Sequence, residues 1–452
     1  MKQVKRRTWF CLLFTLLLAV GLGVFLLRYT GDGERWASFS ANKHIYNKSG
    51  QLISGAILDR NGNTLYDAAA GTYNEDKTIR KATLHAVGDR SGNIATGAKS
   101  ALREKLSGFN PILGTTAGGH SVYLTIDEDL CAAAYSALNE KKGTVGVYNY
   151  QTGEILCMVS TPTFDPDHPP ENVETDSRYE GVYLNRFLSA AYTPGSVFKL
   201  VTTAAAIENI PDIESRTFTC TGSIEIGGQT ITCPHSHGEM DFYGALANSC
   251  NGVYATLATE LGGKTMWQYA KKAGLLDSLS VSGISTAAGS FTAAEDGSAD
   301  LGWSGVGQYN DLVNPCAMMT YAGTIANEGT QIVPRLIRKE TTASGLPAGA
   351  YHAEKHSGAM KSATCAALKD MMRNNVVSHY GQSQFGELAV CAKSGTAEVG
   401  DGKRPHSWFV GFVDDDAHPL AFVVVVENGG SGASVAGSIA ASVLKTAAQI
   451  GY

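Results

Sequence analysis

The hydrophobic pattern opens with one uninterrupted apolar run, from Trp9 to Leu27. As a helix rising about 1.5 Å per residue, this run is long enough to cross the roughly 30 Å hydrocarbon core of a bilayer. Four basic residues precede it: Lys2, Lys5, Arg6 and Arg7. Because basic residues stay on the cytoplasmic side, the pattern predicts a cytoplasmic tail over 1–7, a single transmembrane anchor over 8–28 and an extracytoplasmic remainder. A cleaved signal peptide is the alternative, although its apolar stretch is normally only about 7–15 residues long.

The pattern changes near residue 118. Residues 29–117 are mixed and rich in Gly, Asn and charged side chains, whereas the chain from 118 onward carries regular apolar stretches. Their spacing predicts strands. These strands lie at 122–127, 143–150, 154–160, 388–392, 407–414 and 420–427. Helical spacing dominates 184–385, with loops at 211–240 and 277–300, and returns at 434–449.

Strands at both ends of this region, with helices between and after them, predict one antiparallel sheet covered by helices. Val423, Val424, Val425 and Val426 are typical of a fully buried central strand of that sheet. The expected fold class is therefore α/β, of the α+β type. Residues 118–452 are predicted to form a single domain, and residues 29–117 a smaller one.

Composition narrows the choice of function. The 452 residues are 44% apolar and 17% charged with a formal net charge of −6, which fits a globular chain with a core. The charge balance and the absence of a long basic run give no reason to expect a nucleic-acid partner. Nine cysteines are spread along the chain without a dense framework, so the core rather than disulfides is expected to carry stability.

Three short elements are candidates for chemistry. They are Ser196-Val197-Phe198-Lys199, Ser249-Cys250-Asn251 and Lys393-Ser394-Gly395-Thr396. Each is weak alone, because such short patterns recur by chance; Ser442 and Lys445, for example, repeat the first spacing late in a predicted helix. Together, in this order, they match a set of motifs found in serine acyl enzymes.

Context distinguishes Ser196 from the chance match. It follows a Pro-Gly turn and stands where an apolar helix is predicted to begin, so free N–H groups and the helix dipole favour negative charge there. Lys199 lies one turn on, on the same face. Burial lowers the pKa of a lysine, and a neutral lysine can serve as the base that a serine nucleophile needs. The plain alternative is a capping serine beside a snorkelling lysine.

The other two elements extend this hypothesis. Lys393 to Thr396 continue an apolar strand whose edge can pair with an extended peptide, with Gly395 permitting close approach and the Thr396 N–H joining that of Ser196 in an oxyanion hole. Ser249 is placed to relay a proton, and Asn251 to bind a substrate amide. The alternatives are a plain hairpin strand and a polar turn after a helix.

Further stretches carry a resemblance to a known family. They include Asp59-Arg60-Asn61-Gly62, Tyr192-Thr193-Pro194-Gly195, Lys393-Ser394-Gly395-Thr396-Ala397-Glu398 and Ser407-Trp408-Phe409-Val410-Gly411-Phe412. With the three motifs, the chain resembles the class B, monofunctional penicillin-binding proteins over nearly its whole length. Ser54, Tyr309 and Glu328 depart from the family's pattern.

The resemblance implies a transpeptidase fold with a five-stranded antiparallel sheet and a small pedestal over 29–117. It implies that Ser196 attacks D-Ala-D-Ala stem peptides, Lys199 acts as base, Ser249 relays the proton, and Asn251 binds the substrate. Lys393, Ser394, Gly395 and Thr396 then complete the binding of substrate, with Lys393 and Thr396 holding its terminal carboxylate. No cofactor is expected. The implied partners are peptidoglycan stem peptides, β-lactams and a membrane-embedded glycan polymerase. The alternatives are a D,D-carboxypeptidase, a β-lactamase-like hydrolase, and a penicillin-sensing or scaffold protein.

The role of a second group of residues, two cysteines and two histidines, is open to three interpretations. Cys220 and Cys233 flank a predicted hairpin at 224–231, and His235 and His237 follow. Outside the cell a disulfide between the two cysteines is one interpretation. A zinc site built from Cys and His is another, although the spacing is not that of a standard zinc finger. Two buried thiols are the third.

Overall fold

The structure, a computed structural model, describes residues 2–39, 41–46, 52–112, 114–115 and 118–452. Its α-helices are α1 (Lys2–Ala37), α2 (Lys77–Val87), α3 (Ala98–Ala101), α4 (Arg103–Leu106), α5 (Glu128–Leu138), α6 (Arg186–Ser189), α7 (Lys199–Asn209), α8 (Phe242–Ala247), α9 (Asn251–Leu261), α10 (Gly263–Lys272), α11 (Ala299–Val306), α12 (Pro315–Ala326), α13 (Ser362–Asn375) and α14 (Gly437–Gln449).

The strands in the first half are β1 (Ala56–Leu58), β2 (Thr64–Asp67), β3 (Thr72–Tyr73), β4 (Phe109–Asn110), β5 (Gly114–Thr115), β6 (His120–Leu124), β7 (Gly143–Asn149), β8 (Ile155–Thr161), β9 (Thr217–Cys220), β10 (Ser223–Ile226) and β11 (Gln229–Thr232). Those in the second half are β12 (Gly238–Asp241), β13 (Ser280–Val281), β14 (Ile284–Ser285), β15 (Gln331–Ile332), β16 (Ile337–Thr342), β17 (Pro347–Gly349), β18 (Lys355–His356), β19 (Val390–Ala397), β20 (His406–Val413) and β21 (Leu420–Val426).

The core is built on a five-stranded sheet in the order β19-β20-β21-β7-β8. Neighbouring strands are antiparallel throughout, and β21 joins the two halves of the chain by pairing Val424 with Val145. All seven residues of β21 are buried, which requires cover on both faces. Helices α5 and α14 pack together on the sheet, and α12 packs on β20 and β21. The predicted antiparallel five-stranded sheet between helices is confirmed.

A second sheet lies beside the first, in the order β17-β16-β6-β1-β2-β3. Strand β6 is at its centre, with β1 parallel on one side and β16 antiparallel on the other. Residues before and after 118 therefore share this sheet. Residue 117, the predicted end of the smaller domain, lies outside the described residues, and the boundary at 117/118 stays a prediction.

The middle of the chain is richer in strands than its apolar spacing indicates. Helices α7 to α13 lie there, but 217–241 is not a plain loop, because β9 pairs with β12 and β10 with β11. The predicted hairpin is confirmed, with Ile224 opposite Ile231. Most side chains of these four strands face solvent, which explains why their apolar periodicity is weak.

Helix α1 contains the predicted anchor. It is one continuous helix, and its apolar stretch is long enough to cross a membrane, with none of that stretch buried in the protein. Large apolar side chains such as Trp9, Phe14 and Leu27 are more than two-thirds exposed, at 73%, 71% and 76%. Such a surface is unfavourable in water and suits a lipid environment.

The burial of the Glu128 carboxyl, at the start of α5, can be tested through its effect on stability. Burial, together with the nearby carboxylates of Asp59, Asp129 and Asp127, raises the pKa of its carboxyl to about 7, against the favourable helix dipole. A raised folded-state pKa stabilises the fold at low pH, and this contribution is lost as pH rises through that value. We therefore expect Glu128→Gln to raise the melting temperature at about pH 8 and to leave it unchanged at about pH 4.

Thermal melts across this pH range provide the measurement. Glu295→Gln, which changes an exposed carboxylate, is the control and should show no such pH dependence. A Glu128→Gln melting curve that shifts equally at both pH values would contradict the assignment.

Candidate active site

Ser196 lies in a 3-10 turn, Gly195–Val197, that runs directly into α7. The α-helix itself begins at Lys199, three residues later than its apolar pattern indicates, because a tighter turn forms its entrance. The Phe198 N–H donates to the carbonyl of Gly195 at 2.9 Å. Ser196 and Lys199 are therefore still one helical turn apart, on the same side of the entrance.

Two glycines allow this turn to approach the edge of the main sheet. Gly195 has a φ of +57°, and a Cβ there would lie 3.0 Å from the carbonyl oxygen of Thr396. On the facing strand, a Cβ on Gly395 would lie 2.9 Å from the carbonyl oxygen of Pro194. Larger residues would push the two segments apart. The close contact sets Ser196 beside the open edge of β19.

Two lysines from different elements meet at the hydroxyl of Ser249. The Lys199 ammonium donates to the Ser249 carbonyl at 2.6 Å, to its hydroxyl at 3.2 Å and to Asn251 Oδ1 at 2.8 Å. The Lys393 ammonium donates to the same hydroxyl at 3.0 Å and to the carbonyl of Ser394 at 3.0 Å. Residues from all three motifs thus form one hydrogen-bonded network.

Both lysines are completely buried. Burial lowers the pKa of Lys199 well below its ordinary range, and the charge of Lys393 lowers it further. Burial alone lowers the pKa of Lys393 to about 7. The two amines therefore disfavour being charged together, and Lys199 is the one that loses its proton more readily. A neutral lysine beside a serine hydroxyl is an effective general base.

The segment that carries Ser249 links α8 to α9 in a strained conformation. Ser249 itself has a φ of +55°, a region that costs a non-glycine residue about 1–2 kcal/mol. Its N–H donates to the carbonyl of Leu246 at 3.1 Å. Asn251 begins α9, and its amide nitrogen donates to the carbonyl of Thr232 at 2.8 Å. The surrounding fold therefore has to hold this segment in place.

Two residues that hydrogen-bond to the edge of β19, Tyr380 and Gly432, could not be identified from the sequence. The hydroxyl of Tyr380 accepts the Ser394 N–H at 3.0 Å and bonds the Ser394 hydroxyl at 3.0 Å. The Thr396 hydroxyl accepts the N–H of Gly432 at 3.2 Å. Because N–H directions alternate along a strand, the Thr396 N–H points to the same open edge as that of Ser394. This edge faces the turn that contains Ser196.

A cleft of about 760 Å³ opens over these groups. Its lining includes Ser196, Ser249, Asn251, Ser394 and Thr396 from the motifs, while Lys199 and Lys393 lie beneath them. The other lining residues are Thr232, Cys233, Pro234, His235, His237, Asn248, Trp303, Val306, Gln308, Tyr309 and Glu398. The three predicted elements therefore lie together, at the floor and along one side of a single cleft.

A buried ion pair supports the approach to Ser196. The Arg186 guanidinium, 1% exposed, donates to Glu427 at 2.7 Å, and the Tyr192 hydroxyl donates to the same carboxylate oxygen at 2.9 Å. The pair joins α6 to the end of β21. Trp408 Nε1 adds a bond to the carbonyl of Thr193 at 3.1 Å. The turn is thereby fixed against the sheet.

Of the Cys and His candidates, Cys233, His235 and His237 line the same cleft, whereas Cys220 does not. Cys220, Cys233 and His237 come together, but their fourth neighbour is Cys250 and not His235. The ring of His235 packs edge-to-face against that of His237, with ring centroids 4.5 Å apart, and His235 faces the cleft. All three thiols are free in the structure. Cys250 is the middle residue of the Ser249-Cys250-Asn251 motif, a position that gave no reason to consider it as a member of this cluster.

The fold and the site together indicate the class of protein to which the chain belongs. A serine at a helix entrance, a buried lysine one turn on and a second lysine on an adjacent strand edge are the arrangement of a serine acyl transferase. The family model described as penicillin binding protein transpeptidase domain matches residues 143–445. The chain therefore belongs to the penicillin-binding protein transpeptidase family, and it is a class B member.

The similarity of individual relatives and solved structures is consistent with this family. Peptidoglycan D,D-transpeptidase PbpA of Mycobacterium tuberculosis is 27% identical over 362 residues, which is 73% of each chain. The solved penicillin G acyl-enzyme complex of M. tuberculosis penicillin-binding protein A has a TM-score of 0.77 at 23% identity, covering 88% of this chain and 99% of that one. The D,D-transpeptidase domain of a peptidoglycan glycosyltransferase from Eggerthella lenta has a TM-score of 0.75 at 25% identity, covering 88% and 98%.

The contact between Gly195 and the edge of β19 is testable. We expect Gly195→Ala to slow acylation by a labelled penicillin about 10²-fold, because a displacement of about 1 Å at a reacting group has that cost. Gly345→Ala is the matched control, since Gly345 also has a positive φ but meets no atom within 4 Å of an added Cβ. Gly345→Ala should lower stability only by the backbone cost of a positive φ, about 1–2 kcal/mol, and Gly195→Ala by at least that amount because its Cβ also meets close contacts. Equal acylation rates in the two variants would show that the close approach is unimportant.

Proposed function

We propose that Ser196 is the nucleophile of a D,D-transpeptidase that cross-links peptidoglycan stem peptides. The observation that carries this proposal is the convergence of Lys199 and Lys393 on the Ser249 hydroxyl, at the floor of the cleft that contains Ser196. No plain structural role requires two buried lysines at one serine, because each buried amine is costly. A proton-transfer network explains the arrangement.

In the acylation step, Ser196 Oγ attacks the carbonyl of the penultimate D-alanine while its proton passes to Lys199. A neutral amine has two N–H bonds, and these match the two shorter contacts, to the Ser249 carbonyl and Asn251 Oδ1. Its lone pair is then free for the serine proton. The N–H groups of Ser196 and Thr396 stabilise the oxyanion.

The leaving group takes its proton through Ser249. The Ser249 hydroxyl accepts from Lys393, so its own hydrogen is free to point toward the departing amine of D-alanine. Lys199 then returns the proton to Ser249. An amine from a second stem peptide attacks the acyl-enzyme by the reverse sequence and releases the cross-linked product.

The edge of β19 binds the donor peptide. An extended chain adds to an open strand edge through backbone hydrogen bonds, and Gly395 leaves room beside the nucleophile. Lys393 supplies positive potential beneath Ser394 and Thr396, whose hydroxyls bind the terminal carboxylate. Asn251 orients the amide next to the reacting carbonyl. A β-lactam presents the same carboxylate and carbonyl, so it acylates Ser196 and remains attached.

The location of the chain follows from α1. We propose that residues 8–28 cross the membrane once, with 1–7 in the cytoplasm and the catalytic region outside. The apolar, exposed surface of α1 supports a span, and the preceding basic residues support the orientation. Residues 29–117 serve as a pedestal between membrane and catalytic domain. A membrane-embedded glycan polymerase as partner remains a prediction from the family resemblance.

Replacing the nucleophile is the direct test. We expect Ser196→Ala to abolish labelling by a fluorescent penicillin while melting as the unchanged protein does, because the half-exposed hydroxyl adds little to packing. Ser442→Ala, the serine of the chance motif, is exposed on α14 and should label normally. Labelling of the Ser196→Ala protein would place the nucleophile elsewhere. An adduct on the unchanged protein that is hydrolysed within minutes would indicate a β-lactamase.

Replacing the base gives a graded result. We expect Lys199→Ala to slow acylation by about 10²–10⁴-fold, the usual contribution of general-base catalysis. Lys445→Ala, which removes the exposed lysine of the chance motif, should acylate at the normal rate. The rate of adduct formation, followed by intact mass, provides the measurement. Acylation of the Lys199→Ala protein at the normal rate would assign the base to another group.

A further inference from the structure

Four side chains beside the cleft, of which Cys233 and His237 line it, have their potential ligand atoms close together. The sulfurs of Cys220, Cys233 and Cys250 and a ring nitrogen of His237 all lie within 4.8 Å of one another. Cys220 ends β9, Cys233 follows β11, His237 precedes β12 and Cys250 caps α9. Residues from three parts of the chain, namely β9, the connection between β11 and β12, and the start of α9, therefore converge on one point.

Their separations match a tetrahedral metal centre. Zinc–sulfur bonds of about 2.3 Å and zinc–nitrogen bonds of about 2.0–2.1 Å place ligand atoms about 3.8 Å apart for two sulfurs and about 3.5 Å apart for sulfur and nitrogen. Cys233 Sγ lies 3.7 Å from Cys250 Sγ, and Cys220 Sγ lies 3.3 Å from His237 Nδ1. A disulfide would instead require about 2.05 Å between two sulfurs.

The surroundings also suit a metal. The Gly252 N–H points at Cys233 Sγ from 3.4 Å, the kind of second contact that orients a coordinating thiolate. The segment 217–241 has little apolar core of its own, since most side chains on β9 to β12 face solvent. Small units without a core are commonly held together by a structural metal.

We propose that Cys220, Cys233, Cys250 and His237 bind one Zn²⁺ ion that holds the Ser249-Cys250-Asn251 segment in its catalytic position. Cys250 lies between the two residues that contact Lys199, and it follows the strained backbone of Ser249. A bond from Cys250 to zinc ties this segment to the hairpin wall. Zinc here is structural and binds no substrate, because its four positions are filled by protein ligands.

Metal content of the full-length chain, purified in detergent without chelator, is the first test. We expect about one zinc per chain by elemental analysis, and a cobalt-substituted protein with the absorption spectrum of tetrahedral cobalt–thiolate. His237→Asn should lose the metal. His235→Asn is the matched control, since His235 lines the same cleft but is not part of the cluster, and it should keep the metal.

Three results would overturn the proposal. The first is a chain without zinc from zinc-replete cells. The second is a mass lower by about 2 Da without reductant, which would show a disulfide between two of these cysteines. The third is equal zinc content in the His235→Asn and His237→Asn proteins. Because these measurements use the unchanged protein as well as variants, a variant that fails to fold leaves the test intact.

The consequence for catalysis has a separate readout and rests on the proposed function. Cys220 does not line the cleft, so Cys220→Ser changes no group that touches substrate. We expect this variant to lose zinc and to be acylated by penicillin at least about tenfold more slowly. Zinc loss with full acylation would refute the positioning role alone. Labelling that survives in Ser196→Ala would refute the proposed function and leave the zinc site standing.

Discussion

Two buried amines that share one hydroxyl are the constraint on which this site depends. Lys199 and Lys393 would repel each other if both were charged, and water is excluded from both. Three oxygen atoms accept hydrogen bonds from the two amines: the Ser249 carbonyl, Asn251 Oδ1 and the Ser394 carbonyl. Removing any of these would leave a buried donor unpaired, at a cost of about 1–3 kcal/mol. The same contacts that make the site stable thus set its protonation.

The architecture brings these groups together from distant parts of the chain. Lys199 comes from a helix entrance, Ser249 from a strained link between helices, and Lys393 from the edge of a sheet. Each position is set by a different local device: a pair of glycines at Gly195 and Gly395, a positive φ at Ser249, and a tyrosine that holds the β19 edge through Ser394. The Arg186–Glu427 pair then connects the segment before Ser196 to the central strand.

Much of this arrangement could be predicted from the sequence because catalysis restricts residue types over short spacings. Ser196 with Lys199, and Lys393 with Thr396, stand out for that reason, and the valines of β21 indicate a central strand. Contacts between residues far apart in the sequence are not indicated by any such spacing. Tyr380 is one tyrosine among nineteen, and nothing near it indicates a bond to Ser394. Cys250 lies inside the Ser249-Cys250-Asn251 motif and was therefore not considered as part of the cluster, whereas His235, close in sequence to His237, lies outside it. The solvent-facing strands at 217–241 have too little apolar periodicity to be distinguished from a loop.

The connectivity of the main sheet has a consequence for biogenesis. Strand β7 cannot pair with β21, its neighbour in the finished sheet, until β21 has been synthesised, and roughly 270 residues separate the two strands. At a synthesis rate of about 5–20 residues per second, the nascent β7–β8 hairpin presents an open, apolar edge for on the order of 15–50 seconds. Lys199 is made early in that interval and Lys393 only near its end. Until its last strands emerge, the growing chain therefore exposes an aggregation-prone edge and lacks a complete site, so its folding yield depends on keeping that edge from pairing with other chains.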